Sequence, residues 1–231
     1  PMRFILASRS PARRATLESA GVRPTVIVSE VDEDAVLDAL PGGRAFSGGQ
    51  TTPADEVMAL ARAKQEAVTR ILCEEGSSFQ EAPSEALVVV GCDSMLELDG
   101  RMLGKPHTPD VARARIREMR GRTAALWTGH SMALLSPARP GGARDVAGAD
   151  TASASTLVHF GDITDREIDA YVATGEPLGV AGSFTVDGLG GPFITGVTGD
   201  YHSVVGISLP LVRAMAAGLG VFWPDLWEPA G

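Results

Sequence analysis

Asp93 is the residue whose type and position point most directly to chemistry. It comes directly after residues 86–92, A-L-V-V-V-G-C, a continuous apolar run that is typical of a central strand. In open α/β sheets, ligands bind at the carboxyl ends of the strands. We therefore expect Asp93 at the mouth of the sheet, where a carboxylate can hold a metal ion or activate water.

The dipeptide Asp99-Gly100 predicts that a lysine returns beside Asp93. Asp-Gly between two runs that contain apolar residues is the strongest short-range signal for a β-hairpin. A two-residue turn without a bulge pairs Ser94 with Lys105. A carboxylate and an ammonium group side by side suit a site for a metal ion and a phosphate, and a plain ion pair is the alternative.

Lysine is rare in this chain. Of the 20 basic residues, 18 are arginine, and the two lysines are Lys64 and Lys105. The compact ammonium group can do work that the planar guanidinium cannot, so both are candidate site residues. Lys64 lies in the middle of the apolar face predicted for a helix over 54–72, where it either extends to solvent or points into a cleft. Chance retention of two lysines is the alternative.

The predicted turn between the first strand and the first helix carries Ser8, Ser10 and Arg13. Ser10 followed by proline is a signal for the start of a helix. Backbone N–H groups at such a helix start bind phosphate, and an arginine one turn later adds a charged contact. An ordinary capping sequence is the alternative interpretation.

The acidic stretch V-D-E-D at 31–34 follows the second predicted strand. Carboxylate oxygens are suitable ligands for a divalent cation, and Glu33 is the best candidate among them. A solvated acidic loop is the alternative. The four histidines show no metal-ligand spacing, so we interpret them as structural.

The elements that must position these residues follow from the apolar periodicity and from capping signals. Together they predict one α/β unit with a mixed sheet. The predicted strands cover 3–8, 24–29 and 86–92, the helices 11–20, 54–72, 108–120, 164–174 and 207–219, and a long antiparallel hairpin joins 122–135 to 151–161. The predicted loops are 41–53, 76–85, 136–150 and the glycine-rich stretch 179–199.

Length and composition limit the class of protein. The 231 residues, 44% hydrophobic and 21% charged, favour one globular domain over 1–231 without a separable linker. A net charge of −9 argues against a nucleic-acid partner, because phosphate backbones need a basic surface. Two cysteines without C-x-x-C spacing, and no apolar run long enough for a signal peptide or a membrane span, predict a cytoplasmic protein with no membrane partner.

Taken in order along the chain, these segments resemble the Maf family of nucleotide pyrophosphatases. The resemblance runs from L-A-S-R-S-P-A-R near the start to G-I-S-L-P near the end. Its markers are S-P-A-R at 10–13, A-x-x-K-x-x-A around Lys64, V-V-G-C-D-S at 89–94, G-K-P at 104–106, T-G-H at 128–130, Y-V-A-T-G-E-P at 171–177, A-G-S-F-T-V-D-G at 181–188 and G-D-Y-H-S-V-V-G at 199–206.

The resemblance implies a Maf/ITPase-like α/β fold, in which helices flank a long, bent mixed sheet with a cleft between two lobes, and it implies a homodimer. It implies hydrolysis of a nucleoside triphosphate to the monophosphate and pyrophosphate with Mg²⁺ or Mn²⁺. It further implies that the catalytic residues are Asp93, Lys64 and Lys105, and that the metal ligands are Asp93 and Glu33. The implied substrate contacts are Ser8, Ser10, Arg13, Ser94 and Asp187.

Three positions that the resemblance links to base choice differ from the subgroup similar to dTTP and UTP pyrophosphatases. They carry Ala12, Ser94 and Asp187. We therefore predict no particular base, and the subgroup specific for 7-methyl-GTP is matched no better. The S-P-A-R and C-D-S-M variants resemble actinobacterial members of the family.

The predicted reaction is in-line attack of water on the α-phosphorus, with Asp93 orienting and deprotonating the water directly or through a metal-bound hydroxide. Arg13, Lys64 and Lys105 would stabilise charge on the triphosphate. One alternative is a pyrophosphatase for inosine or xanthosine triphosphate. The other is a nucleotide-sensing module that regulates cell division with little or no turnover, against which Asp93 argues because binding alone needs no carboxylate aimed at a polyanion.

Overall fold

A mixed β-sheet forms the centre of the computed structural model, which describes residues 2–28, 30–74 and 83–229. The strands of these residues are β1 Met2–Leu6, β2 Thr25–Val26, β3 Ala86–Leu98, β4 Arg101–Leu103, β5 Thr123–Leu135, β6 Val146–Phe160 and β7 Ile194–Thr198. The sheet order is β2-β1-β3-β5-β6-β7, and β4 pairs with β3. β1 runs parallel to β2 and β3, whereas the other neighbours are antiparallel. The predicted α/β class with a mixed sheet is confirmed.

Helices flank this sheet, and side-chain caps begin most of them. In the described part of the chain they are α1 Pro11–Ser19, α2 Glu33–Asp38, α3 Pro53–Cys73, α4 Pro109–Met119, α5 Asp165–Ala173, α6 Tyr201–Val205 and α7 Leu209–Gly218. The side chains that accept a backbone N–H three residues later belong to Ser10, Asp32, Thr52, Thr108, Thr164 and Ser208. These caps satisfy N–H groups that the first helical turn leaves unpaired.

The apolar side chains form two lobes along the long strands. In the first lobe, one face of β1 and β3 packs with α1 and α7, and the opposite face packs with α3. In the second lobe, the far ends of β3 and β5 pack with β4, α4 and α5. β3 and β5 run through both lobes, which agrees with the two lobes that the family resemblance implies.

Most predicted elements are present near their predicted positions. The opening strand, helix and strand form a parallel unit, and the predicted helices near 54–72, 108–120 and 164–174 are present as α3, α4 and α5. The long hairpin pairs β5 with β6, although β6 already begins at Val146. No helix among the described residues is both long and apolar enough to span a membrane.

Four predictions of local structure need correction. β3 does not end at Cys92 but continues to Leu98, because the alternating burial of Leu96 and Leu98 keeps the strand against the second lobe. The acidic stretch 31–34 begins α2 instead of forming a loop, since Asp32 caps the helix. The glycine-rich stretch 179–199 contains β7, and the second strand is reduced to the two residues of β2. Of the predicted loop 76–85, residues 76–82 lie outside the described residues, as does residue 29 at the end of the predicted second strand.

Candidate active site

The candidate site lies where β3 has a strand neighbour on one side only. β1 pairs with β3 as far as Val90, and β4 pairs with it from Leu96. Within the described residues, Gly91–Met95 pair with β5 and with no strand on the β1 side. Asp93 and Ser94 therefore lie in a gap of the sheet, beyond the carboxyl end of β1. The prediction that Asp93 follows the end of its own strand was wrong, because the strand that ends there is β1.

Lys64 joins two carboxylates at this gap. Its Nζ is 2.7 Å from Oδ1 of Asp93 and 3.0 Å from Oε1 of Glu33. The Asp93 side chain is 10% exposed, whereas that of Glu33 is 55% exposed. Lys64 therefore points from α3 into the site, and the start of α2 brings Glu33 to the same ammonium group.

Burial dominates the electrostatics of Asp93. It raises the pKa of the Asp93 carboxyl above its ordinary value, and the nearby Lys64 ammonium opposes this shift without cancelling it. Burial lowers the pKa of Lys64, but the Asp93 and Glu33 carboxylates outweigh it and leave that pKa raised. Lys64 therefore stays charged, while Asp93 is a better proton acceptor than a solvated aspartate.

Two glycines of the sheet allow α3 to approach Asp93. A Cβ on Gly129 would lie 2.0 Å from the carbonyl oxygen of Val57, and one on Gly91 would lie 2.5 Å from another carbonyl oxygen of α3. Gly129 is the β5 partner of Asp93. Because neither glycine has a side chain, α3 lies directly on the sheet backbone, and Lys64 reaches the carboxylate.

A second cluster surrounds Arg13, whose guanidinium donates hydrogen bonds to three oxygen atoms. Its Nη1 donates to Oγ of Ser8 at 3.0 Å, its Nη2 to Oγ of Ser94 at 3.0 Å, and its Nε to the carbonyl oxygen of Gly206 at 2.6 Å. Oγ of Ser10 caps α1 by accepting the backbone N–H of Arg13 at 3.3 Å. The predicted residues of the amino-terminal turn therefore meet Ser94 around one guanidinium group.

The two clusters flank the same stretch of β3, because Asp93 and Ser94 are successive residues whose side chains point to opposite faces of the sheet. The Arg13 charge also favours the ionised form of Asp93. A buried carboxylate thus contacts Lys64 at an opening of the sheet, and the next residue of the strand binds the Arg13 guanidinium. Such an arrangement can bind a polyanion and hold a proton acceptor next to it.

Lys105 and Asp187 do not take part in these clusters. The hairpin pairs Leu96 with Leu103 as predicted, but β4 ends there and Pro106 has no N–H to continue the ladder. Both side chains are exposed. In residues 2–28, 30–74 and 83–229, neither of them makes a hydrogen bond or an ion pair.

A profile of the family described as Maf-like protein matches residues 3–219 of this sequence. This chain belongs to the Maf family. A relative from Nocardia farcinica is 50% identical over 225 residues, which cover 97% of this chain and 96% of the relative. A relative from Rhodococcus jostii is 49% identical over 229 residues, covering 99% and 97%. One from Streptomyces coelicolor is 44% identical over 228 residues, covering 99% and 96%.

All three of these relatives are named nucleoside triphosphate pyrophosphatase. Among solved structures, the Ham1 protein of Staphylococcus aureus matches with a TM-score of 0.41 and 14% identity, over 94% of this chain and 98% of that one.

Two buried polar residues of this Maf protein were not among the predicted site residues. Oγ1 of Thr128 lies 2.9 Å from Oγ of Ser94. Nε2 of His130 accepts the backbone N–H of Ser208 at 2.9 Å, and burial, with the charge of Arg13, lowers the pKa of His130 to about 4. The motif T-G-H at 128–130 was a signal for both, although it assigned them no role.

Glu56 is a buried carboxyl that the sequence did not single out. It is 2% exposed, and its Oε1 accepts the backbone N–H of Ala45 at 3.2 Å. Burial raises the pKa of Glu56, and the charge of Asp93 adds to the shift. In an amphipathic helix a glutamate is ordinarily a surface residue, so nothing in its spacing indicated this burial.

The carboxylates of Asp93 and Glu33 suit Mg²⁺ or Mn²⁺. Nζ of Lys64 contacts Oδ1 of Asp93 and Oε1 of Glu33, so the two carboxylates lie close together, and the second oxygen of each is the donor left for a cation. Mg²⁺ is usually held by one or two carboxylates together with substrate phosphates and water. In the described part of the chain, no group of three or more His, Cys, Asp or Glu side chains could hold a metal ion by itself. The donor set therefore fits a cation that substrate oxygens help to bind.

Proposed function

We propose that this Maf protein hydrolyses the bond between the α and β phosphates of nucleoside triphosphates, releasing the monophosphate and pyrophosphate. The observation that carries the proposal is the buried carboxylate of Asp93, paired with Lys64 and adjacent in β3 to the serine that binds Arg13. The names of relatives that are 44–50% identical over nearly their whole length support the same activity. Among the residues that the structure describes, no contact of the site favours a module that only senses nucleotides.

The residues of the site have separate roles in this reaction. Water attacks the α-phosphorus in line with the departing pyrophosphate, and Asp93 orients the water and accepts its proton. General base catalysis of this kind contributes about 10²–10⁴-fold. Arg13 and Lys64 stabilise the charge that develops on the phosphoryl oxygens, and the loss of one such donor costs about 3 kcal/mol.

We further propose that Asp93 and Glu33 hold Mg²⁺ or Mn²⁺ together with phosphate oxygens. When bound, the cation neutralises charge on the triphosphate and polarises its phosphoryl oxygens. Lys64 holds the two carboxylates close to each other. With a net charge of −9 on the protein, the binding of a polyanion depends on such local positive charge.

We propose Ser8 and Ser10 as phosphate contacts around Arg13, and Ser94 and Asp187 as substrate contacts linked to the choice of base. Lys105 is proposed as a third cation for the triphosphate, because it is exposed and has no ion pair among the described residues. We expect Lys105→Ala to leave the free energy of unfolding unchanged and to remove most of kcat. An unchanged kcat would exclude Lys105 from the mechanism.

The test of the activity is pyrophosphate release from canonical, methylated and deaminated triphosphates, each with Mg²⁺ and with Mn²⁺. Wild type is compared with Asp93→Asn and with the control Asp110→Asn, which removes an acid whose side chain is 97% exposed. We expect turnover to collapse only in Asp93→Asn. Preference for a deaminated base would identify an inosine or xanthosine triphosphate pyrophosphatase, and stoichiometric nucleotide binding without turnover in Mn²⁺ would support the nucleotide-sensing alternative.

We also propose a homodimer in the cytoplasm with no nucleic-acid partner. The dimer is implied by the family, and sedimentation velocity measures it directly. The net charge of −9 supports the absence of a nucleic-acid partner.

A further inference from the structure

The guanidinium of Arg13 depends on the short connection between α6 and α7. Its Nε donates to the carbonyl oxygen of Gly206 at 2.6 Å, the shortest of its three side-chain hydrogen bonds. Gly206 has a φ of +142°, and a Cβ there would lie 3.1 Å from Cγ of Arg13. The connection therefore lies against Arg13, and the position of the connection determines the position of the guanidinium.

Two buried side chains of β5 bind the backbone on both sides of Gly206, one in α6 and one at the end of the connection. Oγ1 of Thr128 donates to the carbonyl oxygen of Ser203 at 3.2 Å, and Nε2 of His130 accepts the N–H of Ser208 at 2.9 Å. Thr128 and His130 are both 0% exposed. Because they are two residues apart in a strand, they point to the same face of the sheet.

The contact between His130 and Ser208 requires a neutral imidazole. A ring nitrogen that accepts a hydrogen bond is unprotonated, so the ring proton is on Nδ1. Ser208 is itself buried and caps α7, so its N–H has no access to water as a substitute. Loss of the His130 acceptor would leave this N–H unsatisfied and favour movement of the connection.

We infer that His130 is a positioning residue: by fixing Ser208, it fixes the Gly206 carbonyl, which sets the orientation of the Arg13 guanidinium toward the phosphates. His130 is buried away from the substrate and acts through Arg13 alone. The catalytic part of the inference rests on the proposed function, whereas the coupling between His130 and Arg13 is a property of the fold.

The test compares two substitutions at His130 with a packing control. His130→Gln keeps an acceptor that can reach the Ser208 N–H, and His130→Leu removes it. Met132→Ala is the matched control, because Met132 is fully buried two residues further along β5 and packs in the same first-lobe core. It loses packing without losing a hydrogen-bond acceptor.

The direct readout is hydrogen exchange of the Arg13 Nε–H, followed by NMR and assigned by its absence in Arg13→Lys. We expect exchange to accelerate at least about tenfold in His130→Leu, as the hydrogen bond to Gly206 loosens, and to change little in His130→Gln and Met132→Ala. Equal exchange in His130→Leu and wild type would overturn the inference, and so would equal acceleration in Met132→Ala. This readout does not depend on turnover, so it separates a failure of the inference from a failure of the proposed function.

Kinetics then test whether the effect passes through Arg13. We expect His130→Leu to lower kcat/KM for the best triphosphate by about 10–100-fold, as small misplacements of a positioning group do. In an Arg13→Ala background the same substitution should lower it by less than about twofold, because the positioned group is gone. Equal factors in both backgrounds would contradict an action through Arg13.

Discussion

Lys64 shows how much depends on the type of a single residue. Its ammonium contacts Asp93 at 2.7 Å and Glu33 at 3.0 Å from one nitrogen atom. A guanidinium is planar and larger, and it presents its donors in a fixed fork, so it cannot occupy the same point between two carboxylates. The scarcity of lysine in the sequence pointed to this residue before its partners were known.

We predict that Lys64→Arg keeps the charge but not the function. We expect kcat to fall about 10²–10³-fold, the loss typical of one misplaced electrostatic donor. Steady-state pyrophosphate release measures this, with Arg62→Lys as the control, because Arg62 is an exposed residue of the same helix. Wild-type kcat in Lys64→Arg would show that positive charge alone is sufficient at this position.

His130 gives the stability of the protein a particular pH dependence. The pKa of His130 falls from an ordinary 6.5 to about 4 in the folded protein, chiefly because of burial. Between these values the unfolded chain binds a proton that the folded chain does not, so stability decreases as pH falls from about 6.5 to about 4. The full contribution of this group is about 3 kcal/mol.

Urea unfolding at a series of pH values tests this second prediction. Carboxyl groups also titrate in this interval, so the quantity compared is the difference between wild type and His130→Gln. We expect this difference to favour wild type more at pH 7 than at pH 4. A difference that stays constant with pH would mean that the pKa of His130 is the same in the folded and the unfolded chain.

At the scale of elements, the site depends on how closely α3 lies on the sheet. The Cβ of an alanine at position 129 would stand 2.0 Å from the Val57 carbonyl oxygen, a distance that no backbone oxygen tolerates. We predict that Gly129→Ala pushes α3 outward, separates Lys64 from Asp93, and destabilises the protein by about 1–3 kcal/mol. Turnover should fall by a larger factor than the fraction of folded protein does.

Gly218→Ala is the control for Gly129→Ala. It makes the same change at the end of α7, where a Cβ would meet nothing within 4 Å. We expect it to leave turnover unchanged and to keep or slightly raise stability, because alanine favours a helix more than glycine does. Circular dichroism melts and pyrophosphate release measure both quantities. Wild-type turnover in Gly129→Ala would contradict the role given to the close approach of α3.

Some elements of the fold were predictable from short stretches of the sequence, and others were not. Local signals were sufficient for the capped helices and for the hairpin at Asp99, because caps and two-residue turns depend on a few neighbouring residues. The end of β3 was not predictable in this way, since apolar alternation beyond Asp93 depends on a second lobe formed by later residues. The same holds for His130, whose partner Ser208 is 78 positions away.

At the scale of the whole molecule, the two lobes share their longest strands. β3 contributes Val88 and Val90 to the first lobe and Leu96 and Leu98 to the second. No short linker separates the lobes along these strands. The candidate site lies between the two lobes on β3, so its geometry depends on both lobes being folded at once.

We therefore predict that the lobes unfold as one cooperative unit, as a single domain over 1–231 would. Ile116→Ala removes a fully buried side chain from the second lobe and should cost about 2–5 kcal/mol. The fluorescence of Trp127 monitors the unfolding of β5, and that of Trp223, which packs against the first-lobe core, monitors the first lobe. Urea unfolding is followed by fluorescence in two backgrounds, each keeping one of these tryptophans while the others are changed to phenylalanine.

In a single cooperative unit, Ile116→Ala lowers the unfolding midpoint equally at both tryptophans, although Trp223 lies in the other lobe. If Trp223 kept its wild-type midpoint while that of Trp127 fell, the chain would contain two independently stable domains. The shared strands argue against that outcome, because β3 and β5 cannot leave the second-lobe core without breaking the strand pairs that hold Asp93 in the gap.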